Sequence, residues 1–382
     1  LHCYMVIDMY NTLIGKFCAE HSNYEELLSE KPYSVKTKRL AINDTDFVMF
    51  CYNQIRSDFT NPIVRECRGI IFKEGCWETP VCHAFDKFGN YGENYIPEID
   101  WKSAKVTEKI DGSLIKVWKN GDTNNYVIST NGTINAFDAL IDDYRYKSFG
   151  ELFVNAIDLC DLMSVMSNHN KSTYIFELVS PVNRVVVPYE KLHVYFLGER
   201  DIEGNLTSFT DSECTEDFIA IGVLTPKVFN LSNFDEVVTA ANELPWDEEG
   251  YVVHDKYNNR VKIKSPAYVI AHYSRMNGNI SEKHLIKVIL EGQSEEFLTY
   301  CSDYKDALEK TKQKMENYLT KCEFWYASMP NFNNRKDYAT YVNQVDPVYR
   351  PYLFKCFDKY IDPQEFTKDW DENKWERMMN IK

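Results

Sequence analysis

A chain of 382 residues is long enough for two or three domains with sizeable cores. Its net charge of −15 excludes a protein that coats nucleic acid through bulk positive charge, so any nucleic-acid contact must be local. No apolar run approaches the roughly 18–20 residues of a membrane span, the N-terminal stretch lacks the basic opening of a signal peptide, and the 11 cysteines include no C-x-x-C pair, which reads as reduced thiols of a cytoplasmic protein, not a zinc site or disulfide framework.

In chain order, residues 1 to about 100 mix strand-like and helix-like stretches, with strands expected over 47–52 and 69–72, where aromatic and β-branched residues cluster. From about 104 to 270 the pattern is α+β. Strands are expected over 114–118, 126–130, 173–179, 184–187, 192–197, 250–254 and 260–264, and helices around 136–145, 149–166 and 233–243. Asn120-Gly121-Asp122, between two strand runs, predicts a hairpin. After about residue 270 strand alternation disappears. Ser281-Glu282-Lys283 opens a run with apolar residues at helical spacing (Leu285, Val288, Ile289). A longer helix is expected from about 305 to 319, with opposite charges at Asp306/Lys310 and Lys312/Glu316, and DWDENKWERMM is a further helix near the end. The reading is therefore a domain over 1–270, with an N-terminal part to 100 and a core over 101–270, followed by an all-helical domain over 271–382.

The chemistry centres on Lys109-Ile110-Asp111-Gly112-Ser113. A Lys-x-Asp-Gly tetrad alone arises by chance in on the order of one chain in ten of this size. Its company gives it weight: ECRGIIF precedes it, and YIFELVSPVNRVVVPY, EEGYVVHD and VKIKS follow in order. The set reads as a site where a lysine attacks the α-phosphate of a nucleotide. An ordinary lysine, with a pKa near 10.4, costs about 4.6 kcal/mol to neutralise at pH 7. A lysine nucleophile therefore needs neighbouring positive charge or desolvation. Lys262 and Lys264, two apart on an expected strand, leave one face together and could supply that charge or neutralise phosphate, although such a pair alone is more often a solvated strand face. Asp111 could organise the loop, as in many Asp-Gly turns, and Gly112 permits close backbone approach to a ligand. Glu177 sits inside an apolar run and Glu249 opens another, so each needs a partner or a metal, unless it faces solvent at a strand edge. Mg2+, a hard ion that prefers oxygen, suits both. Arg68 suits bidentate phosphate contacts.

Together these blocks resemble the covalent nucleotidyltransferase superfamily of ligases and capping enzymes. More closely, the chain is similar to the phage-type RNA ligase 1 family, which repairs broken tRNA, over roughly residues 50–300. The resemblance implies an α+β nucleotidyltransferase (ATP-grasp-like ligase) domain of antiparallel sheets and helices, followed by an all-helical domain. DNA ligases and capping guanylyltransferases usually carry a small OB-type barrel there, and residues after 270 lack its strand alternation. It implies ATP as AMP donor, Mg2+ as metal with Mn2+ tolerated, and three steps: adenylylation of the enzyme, transfer of AMP to an RNA 5′-phosphate, and attack by a 3′-hydroxyl. It implies that Lys109 is the nucleophile and that Arg68, Glu177, Glu249, Lys262 and Lys264 hold essential site roles, with Asp111 and Gly112 in the nucleotide loop. Lys87 in AFDKFGN would contact ATP phosphates, Glu108 would line the nucleotide pocket at a position that varies, and Tyr268 matches an aromatic after the last motif. Glu177 and Glu249, the latter directly or through water, would face the metal, and Glu295 and Glu296 match an acidic pair for a second one. The implied partner is RNA, in particular tRNA broken in the anticodon loop and prepared by an end-healing kinase/phosphatase. The implied setting is a monomer in the cytoplasm of a host cell. One departure stands out: relatives carry a basic residue where Ser129-Thr130-Asn131-Gly132 places Asn131. The alternatives are a DNA ligase or capping guanylyltransferase, or a non-catalytic RNA-binding protein of the same fold.

Overall fold

The computed structural model describes residues 10–54, 56–121, 125–274, 280–332 and 334–379, without the side chains of 273, 274, 296, 299 and 300. Strands alternate with helices in the order β1 (Val35–Ile42), β2 (Thr45–Tyr52), β3 (Arg68–Lys73), β4 (Gly89–Asn90), β5 (Lys105–Glu108), β6 (Ser113–Lys119), β7 (Tyr126–Thr130), β8 (Thr173–Val179), β9 (His193–Arg200), β10 (Leu206–Ser208), β11 (Val228–Phe229), β12 (Gly250–His254) and β13 (Arg260–Lys264). They form three sheets, in the orders β1-β2-β3, β10-β9-β8-β6-β7 and β11-β5-β12-β13-β4. The strand pairings are antiparallel, apart from the short pairing of β13 with β4.

Period-two alternation decides what each sheet face meets. On the second sheet, Ile115, Val117, Tyr174, Phe176, Leu178, Val194 and Phe196 enter a core with helices Phe149–Ala156, Leu159–His169 and Thr215–Ala220. The alternate residues leave the other face: Leu114 and Ile175 pack with Phe85 and Phe88, and Trp118 packs with Phe47 and Met49 of the first sheet. On the third sheet, Val106, Tyr251, Val253, Val261 and Ile263 pack under helix Phe234–Glu243. Thr107, Val252, His254 and Arg260 therefore face the second sheet across a gap, and that gap is the site.

The expected hairpin forms: β6 pairs with β7 from Ile115↔Thr130 to Lys119↔Tyr126. Asn120 and Gly121 lie in its turn, and Asp122 lies outside the described residues. Several expectations are corrected. Residues 184–187 are not a strand, because the Val186 and Val187 amides donate to the Asp111 carboxylate and not to a ladder. The helix expected around 136–145 shrinks to a single 3-10 turn, Ala136–Asp138. Beyond it the Asp143 carboxylate accepts from the Arg145 and Tyr146 amides, a local turn that competes with helix. The stretch 149–166 is two helices, because Asp158 caps a new start at Leu159 through the Cys160 and Asp161 amides.

The chain divides into two compact units, Leu1–His272 and Tyr273–Lys382. The second is helical throughout its described residues, with Glu282–Leu290, Ser294–Tyr300, Lys305–Ala327, Arg335–Val342, Arg350–Lys355, Pro363–Thr367 and Glu372–Met379. Its core is aromatic, built on Tyr318, Tyr338, Tyr352, Trp370 and Trp375. The long helix runs eight residues past the expected end, and Lys312 pairs with Glu309 on its N-terminal side and not with the expected Glu316 on its C-terminal side. Among the described residues, no helix is long and apolar enough to cross a membrane. The 10 cysteines among them are free thiols.

Candidate active site

Lys109, Ile110, Asp111 and Gly112 form the loop that carries the chain from β5 to β6. The Lys109 amide donates to the Gly250 carbonyl (2.9 Å) at the start of β12. A Cβ at Gly112 would stand 2.6 Å from the Leu178 carbonyl oxygen, so glycine is what lets the loop lie against β8. Asp111 is buried and spends both oxygens on the scaffold: Oδ2 accepts from the Val186 (2.9 Å) and Val187 (2.8 Å) amides, and Oδ1 from the Tyr268 hydroxyl (2.8 Å). Asp111 thus ties the nucleophile loop to SPVNRVVVPY, the segment mistaken for a strand, and Tyr268 holds it from the other side.

The Lys109 ammonium donates to Glu249 Oε2 at 2.8 Å. The other oxygen of Glu249 lies 3.6 Å from Lys264 Nζ. Alternation places Arg260, Lys262 and Lys264 on one face of β13, as the sequence implied for the two lysines. One buried carboxylate, Glu249, stands between two cations, Lys109 and Lys264.

A cavity of about 300 Å³ lies in the gap between the sheets. Glu108, Lys109, Ile110 and Gly112 line one part; Thr107, Val252, His254 and Arg260 come from the third sheet, and Leu114, Glu177, Leu197 and Ser208 from the second. Arg68, Asn131 and the rings of Phe85, Phe88 and Phe209 complete the wall. Burial pushes the Glu177 carboxyl up to about 8; Lys109 opposes the shift and Glu249 adds to it. A carboxyl raised in this way favours the folded state at low pH, and its contribution is lost as pH rises from 4.5 to about 8. Glu177→Gln is therefore expected to flatten the fall of Tm over that range, as measured by calorimetry against pH. An unchanged slope would show that Glu177 titrates normally.

Arg260 and His254 are functional candidates that sequence reasoning passed over. Burial pushes the His254 ring down to about 3, so it is neutral at physiological pH, with Nε2 3.3 Å from Ser208 Oγ. Arg260 is 8% exposed, its guanidinium 4.4 Å from the centre of the Phe85 ring, and its Nε and Nη2 are buried without hydrogen-bond partners. Arg68 Nη1 and Asn131 Oδ1 are orphaned in the same way. Buried polar atoms are costly unless satisfied, so a cavity wall with several of them suits a polar, anionic ligand. The period-two continuation Arg260-x-Lys262-x-Lys264 was the available signal.

The remaining expected residues are dispersed. Glu108 lines the cavity, and its Oε2 accepts from the Lys227 amide (3.2 Å). Lys87 lies outside the wall, with its ammonium 4.8 Å from the centre of the Phe59 ring. Asp111, Glu249, Lys262 and Lys264 also lie outside the wall. Glu295 is exposed on helix Ser294–Tyr300, and the Glu296 side chain lies outside the described residues. Among the described residues no cluster of three or more His, Cys, Asp or Glu side chains could alone hold a metal. Glu177 and Glu249 nevertheless fit a magnesium ion that takes its other ligands from water and substrate phosphates, because a cation would offset the burial that chiefly raises Glu177 and the repulsion that Glu249 adds to it.

The sequence pattern of the T4 type 1 RNA ligase family matches residues 66–268, more than half of the chain and every block around Lys109. The chain belongs to the phage-type RNA ligase 1 family. Relatives include an RNA ligase of Rhodothermus phage RM378, 25% identical over 332 residues that cover 71% of this chain and 73% of that one. A protein of Autographa californica nuclear polyhedrosis virus, named as a bifunctional polynucleotide kinase/RNA ligase, is 29% identical over 300 residues. That match covers 72% of this chain but only 40% of the viral protein's own length. Among solved structures, an archaeal ATP-dependent RNA ligase is similar with a TM-score of 0.48 and 14% identity, covering 83% of this chain and 82% of that one. Family membership rests on the sequence match and not on that likeness.

Proposed function

We propose that this RNA ligase takes AMP from ATP onto Lys109 and uses it to join RNA ends. The observation that carries the reading is Lys109 on the wall of a cation-bearing cavity, its amine held by Glu249. The Lys109 amine, having given up a proton toward Glu249, forms a P–N bond to the α-phosphorus. The bond from that phosphorus to the bridging oxygen breaks, and pyrophosphate leaves. An oxygen of an RNA 5′-phosphate then attacks the same phosphorus, the P–N bond breaks, and the lysine regains a proton. Finally an RNA 3′-hydroxyl attacks the 5′-phosphate, loses its proton, and AMP leaves. Arg68, Lys262 and Lys264 offer fixed positive charge along that path. A magnesium ion held by Glu177 and Glu249, or manganese in its place, would neutralise phosphate charge.

On this reading residues 1–270 are the adenylyltransferase and 271–382 confer RNA preference. The substrate is tRNA broken in the anticodon loop, with 5′-phosphate and 3′-hydroxyl restored by a kinase/phosphatase, and the enzyme works as a monomer in the host cytoplasm. The coupling of polynucleotide kinase and RNA ligase in the name of the viral relative supports an end-healing partner. The test compares nicked tRNA with linear single-stranded RNA, in ATP and in GTP. Preferred sealing of nicked tRNA in ATP is expected. Equal sealing would remove the tRNA assignment, and a GTP requirement would favour a capping-type enzyme.

A further inference from the structure

Lys116 sits in the middle of β6 and is 0% exposed. It projects from the same face as Leu114 on the cavity wall and Trp118 against the first sheet. Its ammonium donates to the Gly69 carbonyl. Among the described residues, the ionisable groups that act on it are the Cys51 and Cys82 thiols, the His83 ring and the like-charged Arg68, with no carboxylate among them. A buried ammonium without a counter-ion is costly, and a second cation beside it makes it more so.

Three segments meet at this point. Gly69 has a φ of +76°, and a Cβ there would lie 2.6 Å from the Asn131 carbonyl oxygen and 2.9 Å from Lys116 Nζ. The Cys51 thiol donates to the same Asn131 carbonyl (3.4 Å). Arg68 and Asn131 both line the cavity, each with a buried polar atom that has no partner. The corner thus holds two positive charges and an orphaned guanidinium nitrogen; Glu177 acts on Arg68 from the same wall, and no acid acts on Lys116.

We infer that the Arg68–Asn131 corner seats a phosphate group and that Lys116 supplies its second charge from behind the wall, in place of a basic side chain at position 131. Lys116 is a positioning residue: it fixes the Gly69 carbonyl, and so the backbone that aims Arg68, and it adds to the field the phosphate meets. The inference rests on the ligase reading above. The phosphate is either that of ATP or that of the RNA 5′ end, and the experiment has an arm for each.

The full-length protein is compared with Lys116→Met and with the double variant Lys116→Met/Asn131→Lys. One arm follows Lys109–AMP formation against ATP concentration. The other follows AMP transfer from preformed enzyme–AMP against the concentration of 5′-phosphorylated RNA. In one or both arms Lys116→Met is expected to raise the half-saturating concentration roughly tenfold, the scale of one lost charge-assisted contact. Its Tm should hold or rise, because replacing a buried charge by a side chain of similar size is not destabilising. The double variant should recover most of the loss, and the arm that responds identifies the source of the phosphate. Unchanged arms, or a loss that comes with a lower Tm and is not recovered by lysine at 131, would overturn the inference, because a packing role predicts the latter. If the unsubstituted protein forms no Lys109 adduct, the ligase reading fails instead. Binding of inorganic pyrophosphate to the unsubstituted protein and to Lys116→Met then still decides the corner: equal binding overturns it.

Discussion

Lys109→Ala protein incubated with Mg2+ and ATP labelled at the α-phosphate is expected to take up no label, where the unsubstituted protein gives one labelled band that maps to Lys109. The expectation follows from bond-making: among the described residues that line the cavity Lys109 is the only lysine, and alanine removes the atom that would hold AMP. Lys109→Arg sharpens the test. It keeps a positive charge that can pair with Glu249, but a guanidinium does not give up its proton and cannot act as the nucleophile. It should therefore fail as completely as alanine. Sealing of RNA that already carries AMP at its 5′ end should survive in both variants, because that step makes no bond to lysine. Label found on Lys109→Ala, or an adduct mapped elsewhere, would sink the mechanism.

Glu249→Gln is expected to split two properties that usually move together. In the free protein Glu249 holds the Lys109 ammonium at 2.8 Å and lies 3.6 Å from Lys264, so the nucleophile is occupied in an ion pair. Glutamine keeps the shape and loses the negative charge. Modification of Lys109 by a small neutral amine-reactive reagent should become faster, because the amine is no longer held by an ion pair. Transfer of AMP should nevertheless fall on the order of a hundredfold, the scale of losing one preorganised charged group at a reacting centre. Peptide mapping of modified lysines and single-turnover labelling report the two rates. A parallel rise or a parallel fall would show that Glu249 acts only as a latch or only as a structural support.

Much of this arrangement was legible in the sequence, for identifiable reasons. β8 and β12 were placed to the residue because each is a short run rich in aromatic and β-branched residues, and β13 because Val261 and Ile263 alternate with Arg260, Lys262 and Lys264. β1 was missed: VKTKRLAI is mostly exposed and carries three basic residues, so its strand character comes from pairing with β2 and not from a buried face. β4 and β11, with two residues each, are too short to leave a pattern. At the site, the order of blocks pointed to Lys109, Glu177, Glu249 and Arg68 as candidates, but not to how they connect. That Glu249 would stand between Lys109 and Lys264, or that Asp111 would turn away from the cavity, depends on strands far apart in the chain. Lys116 was not singled out in the sequence, because LIKVWK alone does not tell a surface lysine from a buried one; its burial comes from Gly69 and Asn131, which arrive from other segments.

The bonds from Asp111 to the Val186 and Val187 amides have a consequence for how such enzymes can be recombined. The lysine block and the stretch after β8 are two halves of one clasp, although more than 70 residues separate them in the chain. A chimera that imports only one half from a distant homologue leaves either a carboxylate without its amides or amides without their carboxylate. A crossover between 111 and 186 therefore keeps the clasp only when both halves travel from the same parent, and one between 187 and 268 parts Asp111 from Tyr268.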